Sequence, residues 1–299
     1  MVSLTAKRQE NARKVALVAA LLAPATVLFV LFVVVPVVQA GYYSFFKWNG
    51  IGSLDNFIGL KNFGKIFKDK IFHIALINNI KVVVASLVIQ LPLAFFLALL
   101  LGRSRFRGEA ILRSIFFFPY ILAEIVSGII WKFIYNPQFG LPTILSRLFL
   151  DGHEIGLMGD PHRAFNAILV VIIWKYLGFH MVLYIAGLQG VPSELEDAAV
   201  VDGANKFQII WNVIIPSMKS TFIISIFMSI IGAFNIFDVV WALGQGGPVH
   251  TSETLVTYLY NFGFKRFAFG YGSAVAVTLF LICFVFNIFY QKFVVSEEK

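Results

Sequence analysis

The fold of this chain is decided by a polar segment between two long apolar stretches: residues 193–216 read SELEDAAVVDGANKFQIIWNVIIP. The stretches on both sides are apolar enough to lie in lipid. The segment itself carries four acidic side chains before its first basic one, Lys206, so it is expected in water. The sequence therefore predicts a water-exposed connector between two membrane spans.

Capping residues indicate where helices begin and end within this segment. Ser193 followed three positions later by Glu196 is a capping-box pattern, so a helix is expected to begin there. Gly203 can adopt the left-handed conformation that ends a helix. Asn205 with Gln208 repeats the capping pattern. The segment is therefore predicted to form two short helices joined at a glycine.

The second of these helices is expected to have one apolar face, with Pro216 after it. Proline suits the first turn of a helix better than its interior, so a new helix is expected to start there. Ala198 and Ala199 keep the first helix narrow, which lets another surface approach closely. The pattern alone fits a docking surface or an ordinary amphipathic connector equally well. The positions of the apolar face are Phe207, Ile210, Trp211, Ile214 and Ile215.

Composition places the whole chain in a bilayer. The 299 residues are 59% hydrophobic and only 13% charged, whereas soluble domains carry about 25% charged residues. The net charge of +8 lies mostly in short loops beside apolar runs, without the basic stripe that a nucleic-acid partner requires. Cys283 is the only cysteine, which excludes an intrachain disulfide and a cysteine metal cluster.

Apolar runs predict an all-α polytopic membrane protein with about six transmembrane helices. The uncharged part of the first run is far longer than the ~7–15 residue core of a signal peptide, so it is interpreted as an uncleaved span. We expect a cytoplasmic tail, residues 1–14, and a single transmembrane domain, residues 15–299, with a connecting loop at 191–217. The predicted spans lie within 15–46 and at 82–102, 114–135, 164–190, 218–243 and 271–293.

Positive charge and the number of spans together predict the orientation. Basic residues in the tail and in the loop 103–113 favour a cytoplasmic location for both. The loop 44–75 is also rich in lysine, although it is expected outside, so the charge count alone is ambiguous. An even number of spans places both termini and residues 191–217 in the cytoplasm.

Several short motifs, together with the polar segment, resemble the permease subunits of binding-protein-dependent ABC importers. The resemblance covers nearly the whole chain and is strongest for the carbohydrate branch, which includes the maltose-type and glycerol-phosphate-type inner-membrane permeases. The matching elements are NFIGLKNF at 56–63, FPY at 118–120, GIIWK at 128–132, NP at 136–137, AGLQ at 186–189, FD at 237–238, GGP at 246–248 and ET at 253–254.

The resemblance implies that residues 191–217 are the cytoplasmic coupling loop that contacts an ATPase. The family usually has glutamate where Asp197 stands, an aromatic residue where Glu196 stands, and a small or apolar residue where Glu124 stands, so these contacts can differ here. The residues implied to couple are Glu194, Glu196, Asp197, Ala198, Ala199, Asp202, Gly203, Ala204 and Pro216.

The resemblance also implies the partners and the location. A second, homologous permease pairs with this chain, two ATPase subunits bind ATP and Mg, and an extracytoplasmic solute-binding protein delivers a sugar. The complex lies in the cytoplasmic (inner) membrane of a prokaryote and moves the sugar or oligosaccharide by alternating access. No cofactor is expected on this chain.

Polar residues within the predicted spans are candidates for the substrate path, because a charge in a bilayer is costly and needs a reason. Asn235, Asp238 and Trp241 are spaced to share one helix face, where an aromatic ring and hydrogen-bonding groups suit a sugar. Contact with a partner subunit is the alternative for this face.

Tyr176 and His180 lie four residues apart on the fourth span, beside Lys175. Lys175 is expected either to line the path or to extend outward to the interface, and Glu124 to face the helical bundle. Polar residues at the start of the second span, Asn78, Asn79 and Lys81, are interpreted as interfacial anchors.

The absence of catalytic motifs indicates a transport subunit rather than an enzyme. The sequence has no G-x-x-x-x-G-K-[ST] phosphate loop, no metal-binding histidine spacing and no catalytic constellation. Alternatives to a sugar permease are a permease for a polyol phosphate or another small polar solute, and an ion-coupled secondary carrier. The carrier is disfavoured because the chain shows no internal repeat.

Overall fold

The structure is a computed structural model that describes residues 2–102, 108–150 and 152–292. Arginines 103, 105 and 107 and the predicted end of the sixth span at residue 293 lie outside these ranges. Within them the chain is mostly helical, and the β pairing recorded there is one isolated bridge between Phe46 and Phe57. The all-α prediction is therefore confirmed.

The chain divides into two compact units, and the first consists of Met1–Lys65 and Phe262–Thr278. Helix α1, residues 2–43, runs from the N-terminal end and contains a π-helical turn. A short segment then leads to α2, Lys61–Ile66, where the Asn62 side-chain amide donates to the carbonyls of Ser44 at 2.9 Å and Phe46 at 3.0 Å. These bonds fix the segment 44–63 as a small local unit.

The second unit, Ile66–Asn261 and Leu279–Lys299, carries the features that bear on function. Its central element is α7, Ala164–Gln189, which has buried residues along its length and packs against the second half of α3 and against α4. The other helices are α3 Lys70–Gly102, α4 Glu109–Ile121, α5 Glu124–Ile134, α6 Leu141–Phe149, α8 Ser193–Val201, α9 Lys206–Ser217, α10 Lys219–Asn235, α11 Asp238–Gly244 and α12 Leu255–Leu259. Helix α13, Phe269–Tyr290, continues from the first unit into the second.

Within the described ranges, four helices are long and apolar enough to cross a bilayer, and two bent pairs raise the number to as many as six. The predicted third span is one of these pairs, because α4 and α5 meet at 101°. In the other pair, α9 of the connector meets α10, the start of the predicted fifth span, at 71°. The prediction of a continuous third span was therefore wrong, and so was the extension of the fifth span to residue 243, because α10 ends at Asn235.

Three π-helical turns precede prolines within the long helices. They end two residues before Pro36, Pro92 and Pro216. Proline has no N–H for the helical hydrogen bond, and its ring clashes with the carbonyl four residues earlier. The wider π turn accommodates this conflict without ending the helix, which explains why α1, α3 and α9 continue past their prolines.

Asn78 and Asn79 at the start of α3 are fully buried, so their interpretation as interfacial anchors was wrong. Asn78 donates to the carbonyls of Thr251 at 2.8 Å and Glu253 at 2.9 Å. Asn79 donates to Ala233 O and accepts from Leu255 N at 2.8 Å. The two amides thus tie α3 to α10 and to the loop before α12.

Candidate functional site

The connector predicted from the sequence begins with α8, and its first turn differs from the prediction. The N-cap residue is Pro192, and no side chain makes a capping hydrogen bond there. Ser193 is already inside the helix, so the capping box of Ser193 and Glu196 was wrong. Proline can precede a helix because its fixed φ needs no side-chain cap to hold it.

Gly203 ends α8 in the predicted conformation, with φ +82°. The Ala204 N–H donates to Ala199 O at 2.9 Å, and the Gly203 N–H donates to Val200 O at 3.0 Å. This pair of bonds defines a Schellman motif, which satisfies the last carbonyls of a helix. The left-handed conformation of Gly203 is therefore confirmed, and the hydrogen bonds donated by Gly203 and Ala204 end α8.

The second cap is also confirmed, because Asn205 and Gln208 form a reciprocal capping box with bonds of 2.9 and 2.8 Å. Helix α9 then runs through a π turn to Ser217. Pro216 lies in its last turn, and the chain bends at Met218, where φ is −96° and ψ is 10°. The prediction that a new helix starts at Pro216 was wrong by a few residues.

The connector at residues 191–217, which the resemblance implies to be a coupling loop, exposes apolar and acidic side chains together. Phe207 is 69% exposed and Val201 is 87% exposed. Ile214 is buried, so the predicted apolar face is shared between the protein interior and the surface. Ala199, Glu196 and Ala204 are half-buried. The exposed positions among those implied to couple are Glu194, Asp197, Ala198, Asp202, Gly203 and Pro216.

A second feature is the break between α4 and α5. Leu122 and Ala123 have extended backbone angles, with ψ of 142° and 141°, and separate the two helices. Lys175 of α7 is only 1% exposed, and its Nζ donates to Leu122 O at 2.7 Å and to Pro119 O at 3.3 Å. The possibility that Lys175 extends outward to the interface is therefore contradicted. The neighbouring Tyr176 hydroxyl donates to Oε1 of Glu124, the first residue of α5.

A cavity of about 190 Å³ lies beside this break, between α3, α4, α7 and α10. The Tyr120 ring stacks on Phe179 with centroids 4.8 Å apart and meets Tyr176 edge-on at 6.2 Å. Two of the predicted path residues, Tyr176 and His180, line it. The lining residues are Val82, Ser86, Gln90, Tyr120, Ile172, Tyr176, Phe179, His180, Met228, Ser229, Gly232, Ala233 and Ile236.

Some polar groups of the lining have hydrogen-bonding capacity that no described residue uses. The Ser229 hydroxyl is buried and has no hydrogen-bond partner there. The side-chain carbonyl oxygen of Gln90 accepts a hydrogen bond from Ser86 Oγ at 3.3 Å. The NH₂ group of Gln90 is not used in this bond. His180 Nδ1 lies 2.8 Å from Ser225 Oγ, so its other ring nitrogen is available. Buried polar groups normally find partners, so these few groups in a mainly apolar lining can form hydrogen bonds with a ligand.

The structure does not bring the predicted face of Asn235, Asp238 and Trp241 to this cavity. Helix α10 ends at Asn235, the next residue is extended, and Asp238 begins α11. Asn235 is exposed, and its amide bonds Ile231 O of its own helix at 2.9 Å. Trp241 stacks on Phe237 with centroids 5.5 Å apart. The prediction that Asn235, Asp238 and Trp241 share one helix face was therefore wrong.

Sequence reasoning missed Gln90, Tyr120, Phe179 and Ser229. Tyr120 belongs to the FPY element of the family resemblance, but nothing there marked it as a lining residue. The other three lie in apolar runs without a motif, where a single polar or aromatic residue is ordinary. The available signal was Gln90 itself, because a polar side chain within a membrane span often marks a functional site.

These features define a class of protein. Several membrane-length helices surround a small, mainly apolar cavity that carries a few polar groups, and an exposed helix–glycine–helix connector joins two of them, as in a membrane transport subunit. The chain belongs to the family of binding-protein-dependent transport system inner membrane components, whose sequence profile matches residues 90–294. The resemblance noted from the sequence is thereby confirmed.

Individual relatives agree with the family. The chain is 34% identical to the probable ABC transporter permease YurN of Bacillus subtilis over 91% of this chain and 94% of the relative. It is 30% identical to the multiple sugar-binding transport system permease MsmF of Streptococcus mutans, covering 89% and 91%. The glycerol-3-phosphate transport permease UgpA of Agrobacterium fabrum is 31% identical, covering 92% and 93%.

A solved structure shares the fold. A chain of a bacterial ABC transporter that imports the acidic polysaccharide alginate aligns with a TM-score of 0.83 at 20% identity. The alignment covers 98% of this chain and 100% of that one. The likeness therefore extends over nearly the whole chain.

Proposed function

We propose that this chain is a permease subunit of an ABC importer and that its substrate is an uncharged sugar or oligosaccharide. The observation that carries the proposal is the cavity lined by Tyr120, Tyr176 and Phe179 together with free hydrogen-bonding capacity on Gln90 and Ser229. Aromatic faces pack on the C–H surface of a sugar ring, while amides and hydroxyls exchange hydrogen bonds with its hydroxyl groups.

Relatives that transport sugars and relatives that transport glycerol phosphate are about equally similar to this chain. The lining separates the two substrate classes, because none of the described residues lining the cavity is a lysine or arginine. Phosphate recognition relies on such cations. Lys175 is near but is engaged by backbone carbonyls. The cavity therefore favours a neutral polyhydroxylated solute over a polyol phosphate.

Energy for transport is proposed to come from other subunits. Two ATPase subunits, which bind ATP and Mg, dock on the coupling loop; a second permease pairs with this chain, and an extracytoplasmic binding protein supplies the sugar. The exposed acidic and apolar surface of residues 193–211 supports a docking role. This chain neither hydrolyses ATP nor binds a cofactor in this account. An ion-coupled carrier would need no such partners.

Reconstitution tests this proposal directly. The complete complex in proteoliposomes is supplied with its binding protein and tested with labelled maltose, diacetylchitobiose and sn-glycerol 3-phosphate. We expect ATP-dependent uptake of at least one sugar and none of the phosphate ester. Uptake of glycerol phosphate alone, or uptake that requires an ion gradient without ATP, would contradict the proposal.

The docking role of the coupling loop has its own test. Asp197→Lys reverses an exposed charge on α8 and should weaken recovery of the ATPase with the permease. Glu154→Lys makes the same charge reversal at an exposed residue of another loop and serves as the control. Equal ATPase recovery with both variants would show that residues 193–217 are only a connector.

The proposed orientation places both termini and the coupling loop in the cytoplasm. In a Cys283→Ser background, single cysteines at Ser53, Gly152 and Gln245 should react with an impermeant reagent from outside the cell only. Labelling of any one of them solely from the cytoplasmic side would invert or break this topology.

A further inference from the structure

Two successive residues of α7 hold the break between α4 and α5. The Lys175 ammonium group contacts Leu122 O at 2.7 Å, Pro119 O at 3.3 Å and Ser127 Oγ at 3.4 Å. Tyr176 donates its hydroxyl hydrogen to Glu124. The first residue thus contacts both sides of the break, and the second contacts the start of α5.

Helix electrostatics explain why these residue types occur here. The last carbonyls of α4 have no partner within the helix and carry partial negative charge. Lys175 supplies a positive charge and donors at that end. The first turn of α5 carries partial positive charge, and Glu124 is its first residue. The cost of burying Lys175 is offset by these contacts, and its Nζ also lies 5.9 Å from the centre of the Tyr176 ring.

The same contacts reach the cavity. Pro119, whose carbonyl accepts from Lys175, directly precedes Tyr120, and Tyr176 directly follows Lys175. Both tyrosines line the cavity. Because Tyr176 donates its hydroxyl hydrogen to Glu124, the Tyr176 oxygen can take part in a hydrogen bond with a ligand only as an acceptor. A ligand hydroxyl would therefore have to donate to it.

We propose that Lys175 and Glu124 form a clamp on the α4–α5 break and are positioning residues for the substrate. Lys175 fixes the end of α4 and with it the Tyr120 ring. Glu124 fixes the hydroxyl of Tyr176 as an acceptor. The clamp itself follows from the geometry, whereas its effect on substrate recognition rests on the proposed function.

Spin-label distances test the clamp without reference to any substrate. The complete complex in nanodiscs carries Cys283→Ser and labels at Ile115→Cys of α4 and Phe133→Cys of α5, both exposed positions. Lys175→Met should broaden the distance distribution, and Lys175→Arg should restore a narrow one, because arginine keeps charge and donors. The control is Lys132→Met, which removes an exposed lysine of α5. An unchanged distribution in Lys175→Met would overturn the clamp.

Transport kinetics test the positioning role. Uptake is measured with maltose, or with whichever tested sugar the wild-type complex takes up fastest. Lys175→Met should raise KM about tenfold, the scale of losing a hydrogen bond to a charged group, while Lys132→Met leaves KM unchanged. Should Lys175→Met fail to assemble, Glu124→Ala removes the carboxylate that holds the Tyr176 hydroxyl, leaves the tyrosine itself in the cavity, and should raise KM by a smaller factor.

The outcomes separate the two proposals. A broadened distance distribution with unchanged KM would overturn the positioning role. Failure of the wild-type complex to take up any tested sugar contradicts the proposed function, and the distance distribution then decides the clamp by itself.

Discussion

The coupling loop and the α4–α5 break are both interruptions between helices, but they are built differently. Bonds that shape the loop join residues at most five positions apart, such as Ala204 to Ala199 and Asn205 to Gln208. Bonds that shape the break join Lys175 to residues 48 to 56 positions away. A locally built interruption can keep its shape while it moves as a body, whereas the break depends on α7 staying in place.

The largest expected effect concerns the packing on which the break depends. A Cβ at Gly178 would lie 2.0 Å from Phe116 O, a backbone atom that cannot rotate away. Gly178→Ala should therefore destabilise the permease by about 3 kcal/mol, the upper range of overpacking effects. Thermal unfolding in detergent measures it. Gly41→Ala, also in a helix but with nothing within 4 Å of the added Cβ, is the control and should be neutral or stabilising.

Gly203 is expected to show a smaller effect of another kind. An added Cβ meets nothing within 4 Å, but φ of +82° strains any β-branched residue. Gly203→Val should cost about 1–2 kcal/mol locally, leave the permease inserted, and lower sugar uptake per ATP hydrolysed. Gly203→Asn should retain coupling, because asparagine tolerates the left-handed region. Equal coupling ratios in wild type and Gly203→Val would contradict a role for this turn.

The smallest effect compares the observed cap at Asn205 with the cap that the sequence pattern predicted at Ser193. Asn205→Ala removes an observed capping box and should reduce the thermal stability of the assembled complex by about 1 kcal/mol. Ser193→Ala should have little effect, because Ser193 makes no capping bond in the structure. Equal losses in the two variants would mean that Ser193 caps α8 after all.

The same contrast explains what the sequence could predict. The glycine at 203 and the cap at 205 were predictable, because their partners lie within one helical turn or two. The membrane helices were predictable from apolar length alone. Prediction failed at residues 122–123 and at Ile236, where apolar composition continues but the backbone is extended. Nothing local marks these breaks.

Lys175 shows why the candidate site was only partly predictable. Its position in a span suggested a path residue or an interfacial one, but its partners come from a different helix pair and are mainly backbone carbonyls. Backbone acceptors leave no trace in the sequence. Tyr176 and His180 were named from the sequence as candidates for the substrate path, and both line the cavity. Their neighbours there, Tyr120 and Ser229, became evident only from the packing of α4 and α10 on α7.

The central claim is that the substrate contacts the cavity beside the break and not the residues at the α10–α11 junction. The direct measurement determines the KM for sugar uptake, normalised to the amount of assembled complex, for Tyr120→Leu and for Trp241→Leu. Loss of ring stacking at Tyr120 should raise KM roughly fivefold, from a contact worth ~0.5–1.5 kcal/mol, while Trp241→Leu leaves KM at the wild-type value. A raised KM for Trp241→Leu with an unchanged KM for Tyr120→Leu would contradict the account.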